Sequence, residues 1–106
     1  MKNKECVYET AKWTPPLYLI IYQLERVEYS EGDNLNNKSL GYYSSLEKAI
    51  NKAREENELN KASDPIVIYY PDRINSLGQQ GLLTNLVEKE TEYPYSGYII
   101  TEINVK

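Results

Sequence analysis

The chain has 106 residues, with 12 Lys and Arg against 16 Asp and Glu, eleven Tyr, one Cys, and neither His nor Phe. That length suits one domain with one modest core, and 41% hydrophobic with 26% charged residues is the balance of an ordinary globular protein. Without His there is no imidazole base, no His-containing triad and no His-ligated metal, and the lone Cys6 excludes an internal disulfide or a CxxC pair. We therefore expect no catalytic residues, no metal and no cofactor.

Net charge is −4. No basic patch offsets it, since Lys2, Lys4 and Lys12 are diluted by Glu5 and Glu9, so direct binding of nucleic acid is not expected. An acidic surface instead attracts basic partners and speeds their encounter. The longest apolar run, Leu17 to Tyr22, is far too short for a membrane helix of ~20 residues, so no membrane contact is expected. A free Cys and the lack of an apolar segment behind Lys2 and Lys4 place the chain in the cytoplasm by expectation.

Residues 1–16 read as a loosely held arm, closed by Thr14-Pro15-Pro16 and pinned by Trp13. Leu17 to Ser30 reads as a strand, apolar on both faces in its first half and alternating in its second. Tyr18 and Tyr22 are its expected core tyrosines. A polar turn over Glu31 to Asn37 leads to a short strand around Ser39 to Tyr43, making a hairpin. Ser44-Ser45-Leu46-Glu47 then fits a capping box. Leu46, Ala49, Ile50 and Ala53 follow at helical spacing, with Lys52 and Glu56 at pairing distance, predicting a helix from about Ser45 to Glu58.

Ile66 to Tyr70 is a strand by length and β-branching, ended by Pro71-Asp72-Arg73. Ile74 to Leu83 is read as a loop. Its Gly78-Gln79-Gln80-Gly81 lacks the Lys-Ser/Thr of a phosphate-binding loop. Leu86 to Tyr93 alternates and is read as a strand, with a helix over Leu82 to Glu90 as the alternative. After a turn at Tyr93 to Gly97, Tyr98 to Val105 closes the fold with Ile99, Thr101, Ile103 and Val105 on one face. No internal repeat is apparent. The order predicts an α+β two-layer sandwich, a largely antiparallel sheet with one main helix on one face, and a variable loop or strand insert at 74–92.

Two constellations carry functional interest. Glu25 and Glu102 could face each other on neighbouring strands as an acid and base pair, but with thirteen Glu in the chain such pairs arise by chance. The second is charge placed beside tyrosine. Glu25, Glu28, Glu31 and Asp33 crowd the first hairpin with Arg26 alone in opposition. On a strand, Glu88, Glu90 and Glu92 would form an acidic stripe spaced by roughly 6.8 Å, with Tyr93, Tyr95 and Tyr98 alongside. Such a surface suits the cationic groove of a nuclease or another basic protein. The bland reading is a solvated edge strand whose charges discourage aggregation.

Gly41-Tyr42-Tyr43-Ser44-Ser45-Leu46-Glu47-Lys48-Ala49 and the closing Gly97-Tyr98-Ile99-Ile100-Thr101-Glu102-Ile103 resemble a family of small bacterial α+β proteins of uncharacterised function. That family shows a G-x-Y-S-S-x-E-x-A strand-to-helix corner. In size, acidity and lack of catalytic side chains the chain also resembles immunity proteins of contact-dependent growth inhibition systems. The segment Asn60 to Tyr95 departs from the family by being much longer than its short connection. The resemblance implies a non-enzymatic immunity protein whose partner is a cognate, basic toxin domain such as a nuclease, occluded at its active cleft. A phage-encoded inhibitor of a host defence nuclease, a small regulatory domain and a carboxylate-dependent enzyme are the alternatives.

Overall fold

The structure, a computed structural model, describes residues 19–30 and 34–105. The expected arm at 1–16, with Trp13, and the residues Tyr18, Glu31 and Asp33 lie outside them. The elements are β1 (Leu19–Ser30), β2 (Asn34–Tyr43), α1 (Leu46–Leu59), β3 (Ile66–Ile74), β4 (Gln80–Thr84) and β5 (Ser96–Val105). They form an α+β domain: a five-stranded sheet in the order β2-β1-β5-β3-β4 with the helix on one face.

The sheet is mixed: three of its four strand pairings are antiparallel, in line with the largely antiparallel expectation, and one is parallel. β1 pairs antiparallel with both β2 and β5, and β3 pairs antiparallel with β4, but β3 and β5 are parallel. The cause is the helix. It carries the chain from edge strand β2 back over β1 and β5, so β3 runs in the same direction as β2 and hence as β5.

The helix buries the face its periodicity predicted. Ala49 and Ala53 are fully buried, with Leu46 and Ile50 packed beside them against Leu24, Ile68, Tyr98 and Ile100. Small residues at its centre let the backbone lie close to the strands. Its start differs in detail from the expected box. Ser45, not Ser44, is the N-cap, and its Oγ accepts from the Lys48 amide at 3.2 Å. Glu47 falls one position short of the reciprocal contact that a capping box needs. Lys52 pairs with Glu56 at 3.4 Å, as its spacing predicted, and with Glu55 at 3.5 Å.

Three further corrections concern segments read as irregular. β2 begins at Asn34, so the expected polar turn is largely strand. β3 does not stop at Pro71; it continues to Ile74 through a register irregularity between Tyr70 and Ile74, where a proline without an amide hydrogen is tolerated. The Gly-rich stretch contributes β4, paired with β3.

The stretch from Asn75 to Glu90 holds a repeated device. The Asn75 Oδ1 accepts from the amides of Leu77 and Gln79, and the Asn85 Oδ1 accepts from those of Val87 and Lys89. Backbone bonds repeat too: Asn75 to Gln79 and Gly78 to Asn75, then Asn85 to Lys89 and Glu88 to Asn85. Both turns need a left-handed residue at the same place, supplied by Gly78 at φ +80° and by Glu88 at φ +61°. Lys61, at φ +52°, fills the same role after α1, where the Ala62 amide donates to Asn57 and the Lys61 amide to Glu58. A side chain pays a steric penalty in that region. Glu88→Gly and Lys61→Gly are therefore each expected to raise stability by about 0.5–1 kcal/mol, read from urea unfolding midpoints. Two unchanged midpoints would contradict this account.

At the outer end of the helix-covered face, the Tyr22 hydroxyl donates to Glu102 Oε2 at 3.3 Å and the Arg73 guanidinium stacks on the Tyr70 ring at 3.7 Å. Burial, and then the neighbouring Glu102 carboxylate, push the Tyr22 phenol above its ordinary value. Burial also pushes Tyr70 up, against the lowering influence of Arg73. The unfolded chain then loses these protons first, so the contribution is complete below pH about 10 and fades as pH rises through the raised values. Tyr22→Phe is expected to flatten the alkaline fall in unfolding midpoint relative to the parent, measured between pH 8 and 11 in this same range. An equally steep fall would remove Tyr22 from the explanation.

Candidate binding surface

The register sorts the strands into two faces. On β1 the even positions Tyr22, Leu24 and Arg26 lie under or beside the helix, and the odd positions Ile21, Gln23, Glu25, Val27 and Tyr29 lie on the helix-free face. Partner strands follow suit: Ile99 opposes Glu25, Thr101 opposes Gln23, and Val67 and Tyr69 lie beside Ile99 and Thr101.

The helix-free face is neither bare nor purely apolar. β4 is an edge strand and β5 is central, so the connection between them has to cross β3, and it does so on the side away from the helix. The Thr91 amide donates to the Leu83 carbonyl and the Tyr29 amide to the Tyr95 carbonyl, which pins the crossing at both ends. Beneath it Val27, Val67 and Ile99 form a second small core, with Tyr69 and Leu83 packed against it.

Around this core stand exposed tyrosines. Tyr42 is 61% exposed and Tyr95 75%, while Tyr29 and Tyr93 are each about two-fifths exposed. The Tyr29 and Tyr95 rings touch, with centroids 4.8 Å apart and planes tilted by 53°. All cations of the described strands belong to the other face. Arg26 and Lys38 oppose each other at even positions, and Arg73 lies over Tyr70. A cavity of about 390 Å³ opens here, lined by Glu25, Tyr69, Leu83, Tyr93, Ile99 and Thr101.

A second hollow, of about 360 Å³, lies on the helix side around Arg26, whose own charge is already engaged. Arg26 donates to Asp64 at 2.7 Å, to Glu28 at 3.3 Å and to Ser96 at 3.1 Å, and its guanidinium lies 4.9 Å from the Tyr98 ring centre. Among the described residues no cluster of three or more acidic or Cys side chains could hold a metal, and no helix is long and apolar enough to cross a membrane.

The sequence-predicted site residues are dispersed. Glu25 stands on the helix-free face at the cavity, whereas Glu28 turns to the opposite face and pairs with Arg26. Glu25 and Glu102 cannot work as a pair, because the register puts them on opposite faces: Glu25 opposes Ile99 and Glu102 opposes Tyr22. The acidic stripe does not form. Residues 86–93 are not a strand; Asn85 captures two amides and turns the chain at Leu86 to Glu88.

Glu90 keeps one isolated bridge to Thr84, and its carboxylate accepts from the Ser76 amide at 2.6 Å and hydroxyl at 2.8 Å, clasping one turn to the other. Glu92 is exposed, next to Tyr93. Tyr93 and Tyr95 are at the surface as expected, but Tyr98 is 2% exposed and belongs to the core. Its even position on β5, opposite Arg26 and beside Ile66, directs it under the helix.

Tyr29, Tyr42 and Tyr69 join the expected residues at this surface. The signal available in sequence was the odd parity shared by Tyr29 with Glu25, and the alternation of Tyr42 with Tyr43 across the sheet. Compared with known proteins, the chain matches no family model, no curated protein and no solved structure.

Proposed function

We propose that this chain is a non-enzymatic binding protein of the immunity type, which neutralises a basic toxin domain by covering its cationic cleft with the helix-free face of the sheet. The observation that carries this reading is the combination on one face of four exposed tyrosines, Tyr29, Tyr42, Tyr93 and Tyr95, with Glu25 and without any strand cation. Tyrosine supplies large contact area at low entropic cost and is enriched among the anchors of protein interfaces. Carboxylates at the same face would steer a basic partner and set the rate of encounter. The work is shared by tyrosines on two strands and the crossing segment, not by a row of carboxylates at 88, 90 and 92.

Affinity capture of the tagged protein from its native host, washed at low and then high salt, tests this reading. Retention of one basic toxin or nuclease domain in equal amount, and neutralisation of that domain on co-expression, is the expected result. The double variant Tyr93→Ala/Tyr95→Ala should then weaken the complex at least about 30-fold while leaving the far-UV spectrum unchanged, because anchor residues carry most of the energy. Retention of a host defence nuclease would favour the phage-inhibitor reading. Capture of nothing, with the toxin shown to be expressed, would refute the immunity reading.

A further inference from the structure

We propose that the cavity between Glu25, Tyr69 and Tyr93 is a socket for a single arginine or lysine side chain of the protein partner. This deepens the preceding reading and rests on it for the identity of the partner, but its chemistry can be tested separately.

The cavity floor is apolar and rigid. Ile99 is 4% exposed and, together with Thr101, lies on the central strand β5, flanked by Tyr69 on β3 and Leu83 on β4. Glu25 stands on β1 at the opposite side, two strand spacings from Tyr69, or roughly 10 Å across the sheet. Tyr93 enters from the crossing segment. At about 390 Å³ the space lies near the lower end of small-ligand pockets, which run from roughly 300 to 1,000 Å³. An extended cationic side chain can lay its methylene stem on Ile99 and Leu83 and its charged head between an aromatic ring and a carboxylate.

The fold already shows what such a group does with these residue types. On the helix side, Arg26 lies over the Tyr98 ring and donates to Asp64 and Glu28. Arg73 likewise covers the Tyr70 ring. The cavity presents tyrosine rings and a carboxylate again, and none of its lining residues is Lys or Arg. A cation over a tyrosine face gains ~0.5–2 kcal/mol depending on how far it is desolvated, and a charge-assisted bond to a carboxylate adds direction. An anionic group is repelled by Glu25. A neutral one gains neither the ion pair nor the cation–ring contact, which leaves it only the hydroxyls of Thr101 and the two tyrosines. Guanidinium fits better than ammonium, since its plane can stack on Tyr69 or Tyr93 while its edge reaches Glu25.

The test uses the full chain, isotopically labelled, in an NMR titration with a blocked Gly-Arg-Gly peptide and, as the neutral isostere, the same peptide carrying citrulline. Saturable shifts at Glu25, Ile99 and Thr101 with the arginine peptide, in the millimolar range and weakened by added salt, are expected. Citrulline should weaken binding at least fivefold, and so should Glu25→Gln, a surface change that leaves the fold intact. Tyr93→Leu should weaken it while retaining bulk.

Equal shifts with citrulline, an unaffected Glu25→Gln variant, or shifts confined to other surfaces would overturn the socket. It would be equally overturned if the cavity proved to be filled by other residues of this chain or by a second copy, seen as contacts to the Tyr93 ring before peptide is added. Failure here is distinguishable from failure of the immunity reading. A toxin complex that survives Glu25→Gln unchanged removes the socket alone, while peptide binding without any captured toxin removes the immunity reading alone.

Discussion

Gly97→Ala is expected to destabilise the protein by about 2–3 kcal/mol. Gly97 sits opposite Val27 where β5 passes the start of β3, and a Cβ there would lie 2.5 Å from the Pro65 carbonyl oxygen and 3.0 Å from its ring. The obstacle is backbone, so it cannot rotate away. That same carbonyl accepts the Tyr98 amide at 2.9 Å, adjoining the parallel pairing of β3 with β5. Relieving the clash would open this junction and loosen Tyr98, Ile66 and the helix above them.

Far-UV dichroism against temperature should show a melting point lowered on the order of 10–20 °C. Gly78→Ala serves as the comparison, since its added methyl meets open space and its cost is only the left-handed backbone at φ +80°, about 1 kcal/mol. Equal effects of the two substitutions would contradict the steric explanation.

Arg26→Ala is expected to cost about 2 kcal/mol. The side chain is 22% exposed and links β1 to β5 through Ser96 and to the segment between α1 and β3 through Asp64. Asp64 is itself held by Asn57, whose amide group donates to the Asp64 carbonyl and accepts its N–H. Those bonds fix the Asp64 backbone beside β1, so its carboxylate stays near the site when the guanidinium is removed. Truncation leaves that carboxylate, 25% exposed in the intact protein, without its cation and uncovers the Tyr98 ring.

Arg26→Lys should recover less than half of the loss, because an ammonium cannot reach Asp64, Ser96 and the ring together. A double-mutant cycle with Asp64→Ala, followed by urea unfolding, should return a coupling of about 1–2 kcal/mol. A coupling near zero would reduce the pair to an ordinary surface contact. The Glu28 contact, longer and with its carboxylate 60% exposed, should add little.

What was legible in the residues follows a simple division. Local periodicity with an apolar set behind it read correctly: Leu46, Ala49, Ile50 and Ala53 sit on one face of a helix, and Ile99 shares its face of β5 with Thr101. The alternation of Tyr42 with Tyr43 carries the same kind of information: Tyr43 packs on the core and Tyr42 lies at the surface. The alternation Glu88, Glu90 and Glu92 was misleading because it is polar against polar. No apolar face demanded burial, so nothing opposed the side chain of Asn85 when it took two amides for a turn. The matching turn at Asn75 was written ten residues earlier, in a form whose meaning depends on both asparagines acting through their side chains.

The amino-acid sequence by itself determined the helix, the two long strands β1 and β5, the limits on chemistry that follow from having no His and a single Cys, and the acidic, tyrosine-rich character of the chain. These depend on composition and on neighbours within one or two turns. Only the tertiary structure decided which tyrosines are surface and which are core, that Glu25 and Glu102 lie on opposite faces, and that β3 runs parallel to β5. Those outcomes are set by strand register and by the crossing of the helix and the 85–95 segment on opposite sides of the sheet. Register pairs residues tens of positions apart, and a shift of one would exchange the faces.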